Sequence, residues 1–217
     1  MNDKTMDIYE YGSSQAPVVL IQMVGEHDLP GIEREIMEIR RLTDMEFQLI
    51  AVKVNNWNQD LSPWNAAAVF GKEEFGNGAK NTLEVIEKLC ADTNKYYCIG
   101  GYSMAGLFAL WAASQTNRFA GIAAASPSIW FPGFLEYLKG QKIQSDCIYL
   151  SLGDKEEKTR NSVMAQVGNC IRQAFAWLNE KGIQCTLEWN TGGHFKDTDL
   201  RTARAFAWVM KNLRRCI

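Results

Sequence analysis

Six short apolar runs recur along the chain, at 17–24, 46–54, 95–99, 119–125, 147–152 and 183–189. Between them the apolar residues switch to helical spacing. Ile32, Ile36 and Ile39 share one face, as do Leu83, Ile86 and Leu89-Cys90. Val163, Val167, Ile171 and Phe175 form another stripe that ends near Gly182. A last helix is expected over 198–213, with Leu200, Ala203, Phe206, Val209 and Met210 turned inward. The strands are continuous apolar runs rather than alternating ones, so both of their faces must be buried. That pattern predicts an α/β fold: a three-layer αβα sandwich around a mostly parallel open sheet. A weaker run at 6–11 reads as an edge strand. In such sheets the ligand crevice lies at the carboxyl ends of the strands. Functional residues are therefore expected after Val24, Ile99, Leu152 and Trp189.

A length of 217 residues suits one domain, 1–217, with a sizeable core. The net charge is −2 with both signs mixed, which argues against a nucleic-acid or anionic-membrane surface. No apolar stretch is long enough to span a bilayer. The first seven residues are polar and lack an apolar signal region, so a cytoplasmic protein is expected. The six cysteines, Cys90, Cys98, Cys147, Cys170, Cys185 and Cys216, form no C-x-x-C pair and none has ligand spacing to a histidine. They read as reduced thiols, and no metal or cofactor is expected.

Ser103 lies in Gly100-Gly101-Tyr102-Ser103-Met104-Ala105-Gly106, between the strand ending at Ile99 and the apolar helix starting at Leu107. A serine on a strand-to-helix elbow presents its hydroxyl to the crevice beside a helix N-terminus. Such a turn demands small residues two before and two after the serine, and Gly101 and Ala105 meet that demand. A glycine-rich turn with a serine helix cap would show the same pattern.

A serine nucleophile needs a base, and the base needs an orienting acid. Only His27 and His194 are available. The chain order serine, acid, histidine selects His194, behind Gly192-Gly193. Asp154, Glu156 and Glu157 compete for the acid after the strand at 147–152, and spacing does not choose among them. The oxyanion hole is expected to use the backbone N–H of Met104 and that of Glu26, whose side chain should point away. His27 either lines a substrate pocket or is an uninvolved loop residue. Trp57 and Trp64, in a polar and aromatic segment, either stack on substrate or cover apolar surface.

These residues resemble a known family. Gly100–Leu107, Ala125-Ser126-Pro127-Ser128-Ile129-Trp130-Phe131, Leu152-Gly153-Asp154-Lys155-Glu156 and Gly192-Gly193-His194-Phe195 are similar, in order, to four blocks of the esterase-D-like and enterochelin-esterase-like branch of the α/β-hydrolase superfamily. The resemblance implies a compact, lidless α/β-hydrolase fold. It implies Ser103 as nucleophile, His194 as base and Glu156 as acid, with Asp154 the runner-up. It places Ser126 and Trp130 in the wall of the site, with core packing the other reading of Trp130, and Tyr102 beside the nucleophile. Ala105 departs from the family's usual glycine.

The expected function is a serine esterase that hydrolyses a small or medium acyl ester through an acyl-enzyme. Its partner is a small-molecule ester, and its oligomeric state is open. An acyltransferase, thioesterase or peptidase on the same triad is the alternative, or a catalytically silent binding protein of the same fold. A nucleotide-binding domain is disfavoured, because no G-x-G-x-x-G follows the first strong strand.

Overall fold

The computed structural model describes residues 6–213. Seven strands form one sheet: β1 (Asp7–Gly12), β2 (Val18–Val24), β3 (Phe47–Lys53), β4 (Tyr96–Tyr102), β5 (Phe119–Ala125), β6 (Cys147–Gly153) and β7 (Gln184–Asn190). Their order across the sheet is β1-β3-β2-β4-β5-β6-β7. β1 is the antiparallel edge and every other pairing is parallel. The six apolar runs and the weak edge run all form strands within a residue of their expected limits, except that β4 continues three residues past Ile99 to Tyr102.

Among the described residues six α-helices lie between the strands and a seventh follows the last one: α1 (Ile32–Leu42), α2 (Trp57–Asp60), α3 (Ala79–Leu89), α4 (Met104–Gln115), α5 (Phe134–Lys139), α6 (Val167–Glu180) and α7 (Thr198–Lys211). The side-chain alternation of β2 sets the two cores. Val18, Leu20 and Val24 pack with α1 and α7 on one face, while Val19, Ile21 and Met23 pack with α3 and α4 on the other. β2 itself is wholly buried. α4 is buried on every side from Met104 to Ala113, which explains why its sequence shows no polar stripe.

Two details differ from the sequence expectation. Val163 lies before α6 and is exposed, because a short 3-10 turn, Met164–Gln166, precedes the helix. α7 stops at Lys211, and its inward face includes Arg201 where Leu200 is only half-buried. Cys90, Cys98 and Cys147 are buried among apolar residues; Cys216 lies outside the described residues. Among the described residues, no helix is long and apolar enough to cross a membrane.

Candidate active site

β4 runs directly into α4 through Ser103, whose backbone has φ 59° and ψ −117°. A non-glycine residue in that region costs about 1–3 kcal/mol and persists only where its surroundings hold it. Here the Ser103 N–H donates to the Ala125 carbonyl at 3.1 Å, and the Ser128 N–H donates to the Ser103 carbonyl at 3.0 Å. Gly101 has φ +149°, and a Cβ added to it would stand 2.6 Å from the Cβ of Ala105. The two positions share one space. The methyl of Ala105 is accommodated because residue 101 is glycine, and the departure at 105 needs no movement of the turn.

Three loops at the carboxyl ends of β4, β6 and β7 bring the expected residues together. His194 Nε2 is 3.0 Å from Ser103 Oγ, and His194 Nδ1 is 2.7 Å from Glu156 Oε2. A carboxylate only accepts, so Nδ1 carries the proton and Nε2 is left to accept from the serine hydroxyl. The three carboxylates of the β6 loop take different partners. Glu156 meets His194. Asp154 Oδ1 accepts from the Gly192 N–H at 2.7 Å and ties down the histidine loop. Glu157 pairs with Arg172 at 3.0 Å, away from the cleft. The close approach of the β6 and β7 loops requires Gly153, since a Cβ there would meet the Gly192 carbonyl at 2.4 Å.

Glu156 is buried and accepts on both oxygens. Its Oε1 takes hydrogen bonds from the Gly153 N–H at 2.7 Å, Ser126 Oγ at 2.8 Å and Arg201 Nη1 at 3.1 Å. Arg201 is 1% exposed. Its Nη1 also donates to the Tyr102 hydroxyl at 2.9 Å, and its Nη2 to the carbonyls of Thr191 and Gly193 at 3.3 and 3.1 Å. One guanidinium thus braces both the acid and the loop that carries the histidine. Burial, reinforced by the charge of Glu156, pushes the Tyr102 hydroxyl up to about 12. The hydroxyl stays protonated and donates to the His194 carbonyl at 2.6 Å.

Met104 is the first residue of α4, so its N–H has no acceptor within the helix and sits at the positive end of the helix dipole. Glu26 is exposed and its side chain turns to Lys53 Nζ at 2.6 Å. Glu26 does not line the cleft, whereas its neighbour His27 does. His27 packs edge-on against Trp57, 5.4 Å between ring centres. The cleft in front of Ser103 has a volume of about 580 Å³ and is mostly apolar, bounded by Trp57, Phe70, Trp130, Met164 and Phe195. Trp130 serves both of its readings, because it lines the cleft and packs on Phe70 and Phe75. Trp64 belongs to the packing of Phe131, Phe134 and Tyr137.

The cleft wall differs from expectation at one serine. Ser126, at φ 41°, is buried and directs its hydroxyl back to Glu156. Ser128, two residues on, lines the cleft with its Oγ 3.0 Å from that of Ser103. Ser128 therefore takes the place in the wall expected for Ser126. Arg201 carried no signal at all, because an arginine on an amphipathic helix reads as a solvated residue.

No family model matches the sequence, and no curated protein matches it. Solved structures do match the fold. An IroE-like serine hydrolase from Shewanella oneidensis superposes with a TM-score of 0.76 at 15% identity, covering 95% of this chain and 76% of that one. The siderophore hydrolase EstA from Aspergillus nidulans gives 0.68 at 18% identity, covering 96% and 95%. The enterobactin esterase of Shigella flexneri gives 0.61 at 14% identity, covering 94% of this chain and 55% of that one. At these identities the likeness is one of fold, and it assigns this chain the compact α/β-hydrolase architecture that its sequence blocks resemble.

Proposed function

We propose that the chain is a serine esterase acting on small or medium acyl esters. The observation that carries this reading is the unbroken hydrogen-bonded line from Ser103 through His194 to Glu156, opening on an apolar cleft. In the mechanism, Ser103 Oγ attacks the ester carbonyl carbon while its proton passes to His194 Nε2. The carbonyl oxygen becomes an oxyanion held by the Met104 N–H and by a second N–H from the loop after β2. Collapse breaks the bond to the alkoxide, which leaves with the proton from His194. Water then repeats the sequence on the acyl-enzyme and frees the acid and Ser103. Glu156 keeps His194 in the tautomer that accepts from serine, and Arg201 keeps Glu156 in place.

The matched structures are named as a serine hydrolase, a siderophore hydrolase and an enterobactin esterase, which supports the reaction class. The apolar lining supports a hydrocarbon or aromatic acyl group over a charged one. We also read the chain as one domain, since both cores cover a single sheet, and as cytoplasmic on its cysteine usage. Labelling with a fluorophosphonate, followed by peptide mapping, tests the mechanism. The expected result is a label on Ser103 that His194→Ala abolishes. A folded parent chain that takes no label would overturn it and favour a binding protein of the same fold.

A further inference from the structure

One short turn reaches both ends of the triad. β5 ends at Ala125, and Ser126-Pro127-Ser128 follows it. Ser126 Oγ donates to Glu156 Oε1 at 2.8 Å, while Ser128 Oγ lies 3.0 Å from Ser103 Oγ. The turn is pinned from several sides. The Ser128 N–H donates to the Ser103 carbonyl at 3.0 Å, and the Phe131 N–H donates to the Ser128 carbonyl at 2.9 Å. α4 closes on Pro127, since a Cβ added at Gly106 would stand 3.2 Å from Pro127 Cα. Ser128 is buried, and its hydroxyl is held against the nucleophile by a backbone that has little room to move.

The available hydrogens fix the direction of that bond. A serine hydroxyl has one hydrogen and two lone pairs. His194 Nδ1 holds its proton against Glu156, so Nε2 presents a lone pair and takes the single hydrogen of Ser103. Ser103 Oγ has no second hydrogen to give, so the Ser128 hydroxyl donates and Ser103 Oγ accepts. One lone pair of Ser103 Oγ is thereby engaged. The other is left for the cleft, from which an ester carbonyl arrives. A hydrogen bond strengthens as its acceptor gains charge. Oγ gains charge as its proton passes to His194, so the Ser128 donor stabilises the transition state more than the resting hydroxyl.

We propose that Ser128 is a further catalytic residue, whose hydroxyl donates to Ser103 Oγ, aims its attacking lone pair and stabilises the negative charge that Oγ carries during attack. This role rests on the esterase reading. No atom of Ser128 is transferred. The Ser103 proton moves to His194 Nε2, the free Oγ lone pair forms the bond to the carbonyl carbon, and the carbonyl π pair moves onto the oxyanion. In deacylation the bond between Oγ and the acyl carbon breaks, its electron pair returns to Oγ, and His194 returns the proton. The Ser128 proton stays on its own oxygen throughout.

Pre-steady-state cleavage of p-nitrophenyl butyrate by the full chain and by Ser128→Ala tests this role. Its dependence on ester concentration separates the dissociation constant of the ester from the acylation rate constant. Ser128→Ala keeps the backbone N–H that holds Ser103 and removes only the hydroxyl. The expected result is an acylation rate constant lowered about 10- to 100-fold, as loss of a hydrogen bond to a charged atom requires, with the dissociation constant and the melting temperature unchanged. Fluorophosphonate labelling of Ser103 should slow by a similar factor. A weaker dissociation constant with acylation as fast as in the parent overturns the proposal and leaves Ser128 as a wall of the cleft. Two unchanged constants overturn it as well. If Ser128→Ala fails to fold, Ser128→Cys answers the same question, because a thiol is only a weak donor, and acylation at the parent rate there overturns the proposal. A parent chain that neither cleaves the ester nor takes the label overturns the esterase reading, and this role with it. A parent that does both leaves Ser128 to be judged by its variants alone.

Discussion

Two buried glutamates flank the cleft, and their surroundings could hardly differ more. Glu156 accepts four hydrogen bonds, from a backbone N–H, a serine hydroxyl, a guanidinium and a histidine. Glu35 accepts one, from the amide of Gln22, and its other oxygen has no partner among the described residues. Burial alone is common to both. What separates them is how far the fold has already met their demand for donors. A carboxylate given enough donors keeps its charge when buried and can orient a neighbour, while one given a single donor is pushed towards its neutral form. The first belongs to the chemistry proposed for Ser103, the second to the core between β2 and α1.

The largest effects fall on the satisfied side. Ser103→Ala is expected to lower kcat for ester hydrolysis by about 10⁴-fold or more, with the melting temperature retained. Glu156→Gln should cost roughly 10³- to 10⁴-fold, because the amide can donate to Nδ1 and favour the wrong histidine tautomer. Both are read from the initial rates of p-nitrophenyl butyrate cleavage. Retention of full activity in Glu156→Gln would break the comparison at its root.

Arg201→Met comes next and is seen mainly as stability. It strips the one buried cation from Glu156 and leaves two loop carbonyls without their donor, for a loss of about 3–5 kcal/mol in urea unfolding. Arg201→Lys should recover only part of this, since an ammonium cannot span Glu156, Tyr102 and both carbonyls with the planar reach of a guanidinium. Full recovery by lysine would mean that charge matters there and geometry does not.

The difference between the two glutamates also explains what could be read from the sequence. The strands were legible because six apolar runs demanded burial on both faces, and the elbow because Gly101, Ser103 and Ala105 sit between a strand and an apolar helix. The base was legible because the chain has only two histidines, and the order serine, acid, histidine selects His194. Choosing among Asp154, Glu156 and Glu157 needed a resemblance to known blocks, since all three are acids on one loop and only three-dimensional placement separates them. Arg201 and Glu35 stayed hidden for a shared reason: each occupies a helix position where a charged residue ordinarily faces water. A buried charge is recognised by its partners, and those come from segments far away in the chain, the loop after β6 for Arg201 and β2 for Glu35. Ser126 was expected in the cleft wall, but the backbone at φ 41° turns its hydroxyl to the acid and Ser128 faces the cleft instead.

The smallest effect tests the unsatisfied side through its proton. Burial raises the Glu35 carboxyl well above its ordinary value, so between the unfolded and the folded titration the folded chain holds a proton that the unfolded chain has released. Folding then takes up a proton, and linkage makes stability fall as pH rises through the interval between the unfolded and the folded titration. The contribution is fully present below the unfolded value, about 4.3, and declines above it. Glu35→Gln keeps the shape and the neutral form but removes the titration. The difference between variant and parent should be constant below about pH 4, and from there the variant should gain stability on the parent as pH rises, read from urea unfolding at a series of pH values. Two parallel stability profiles would mean that Glu35 is ionised in the folded chain as it is in the unfolded one.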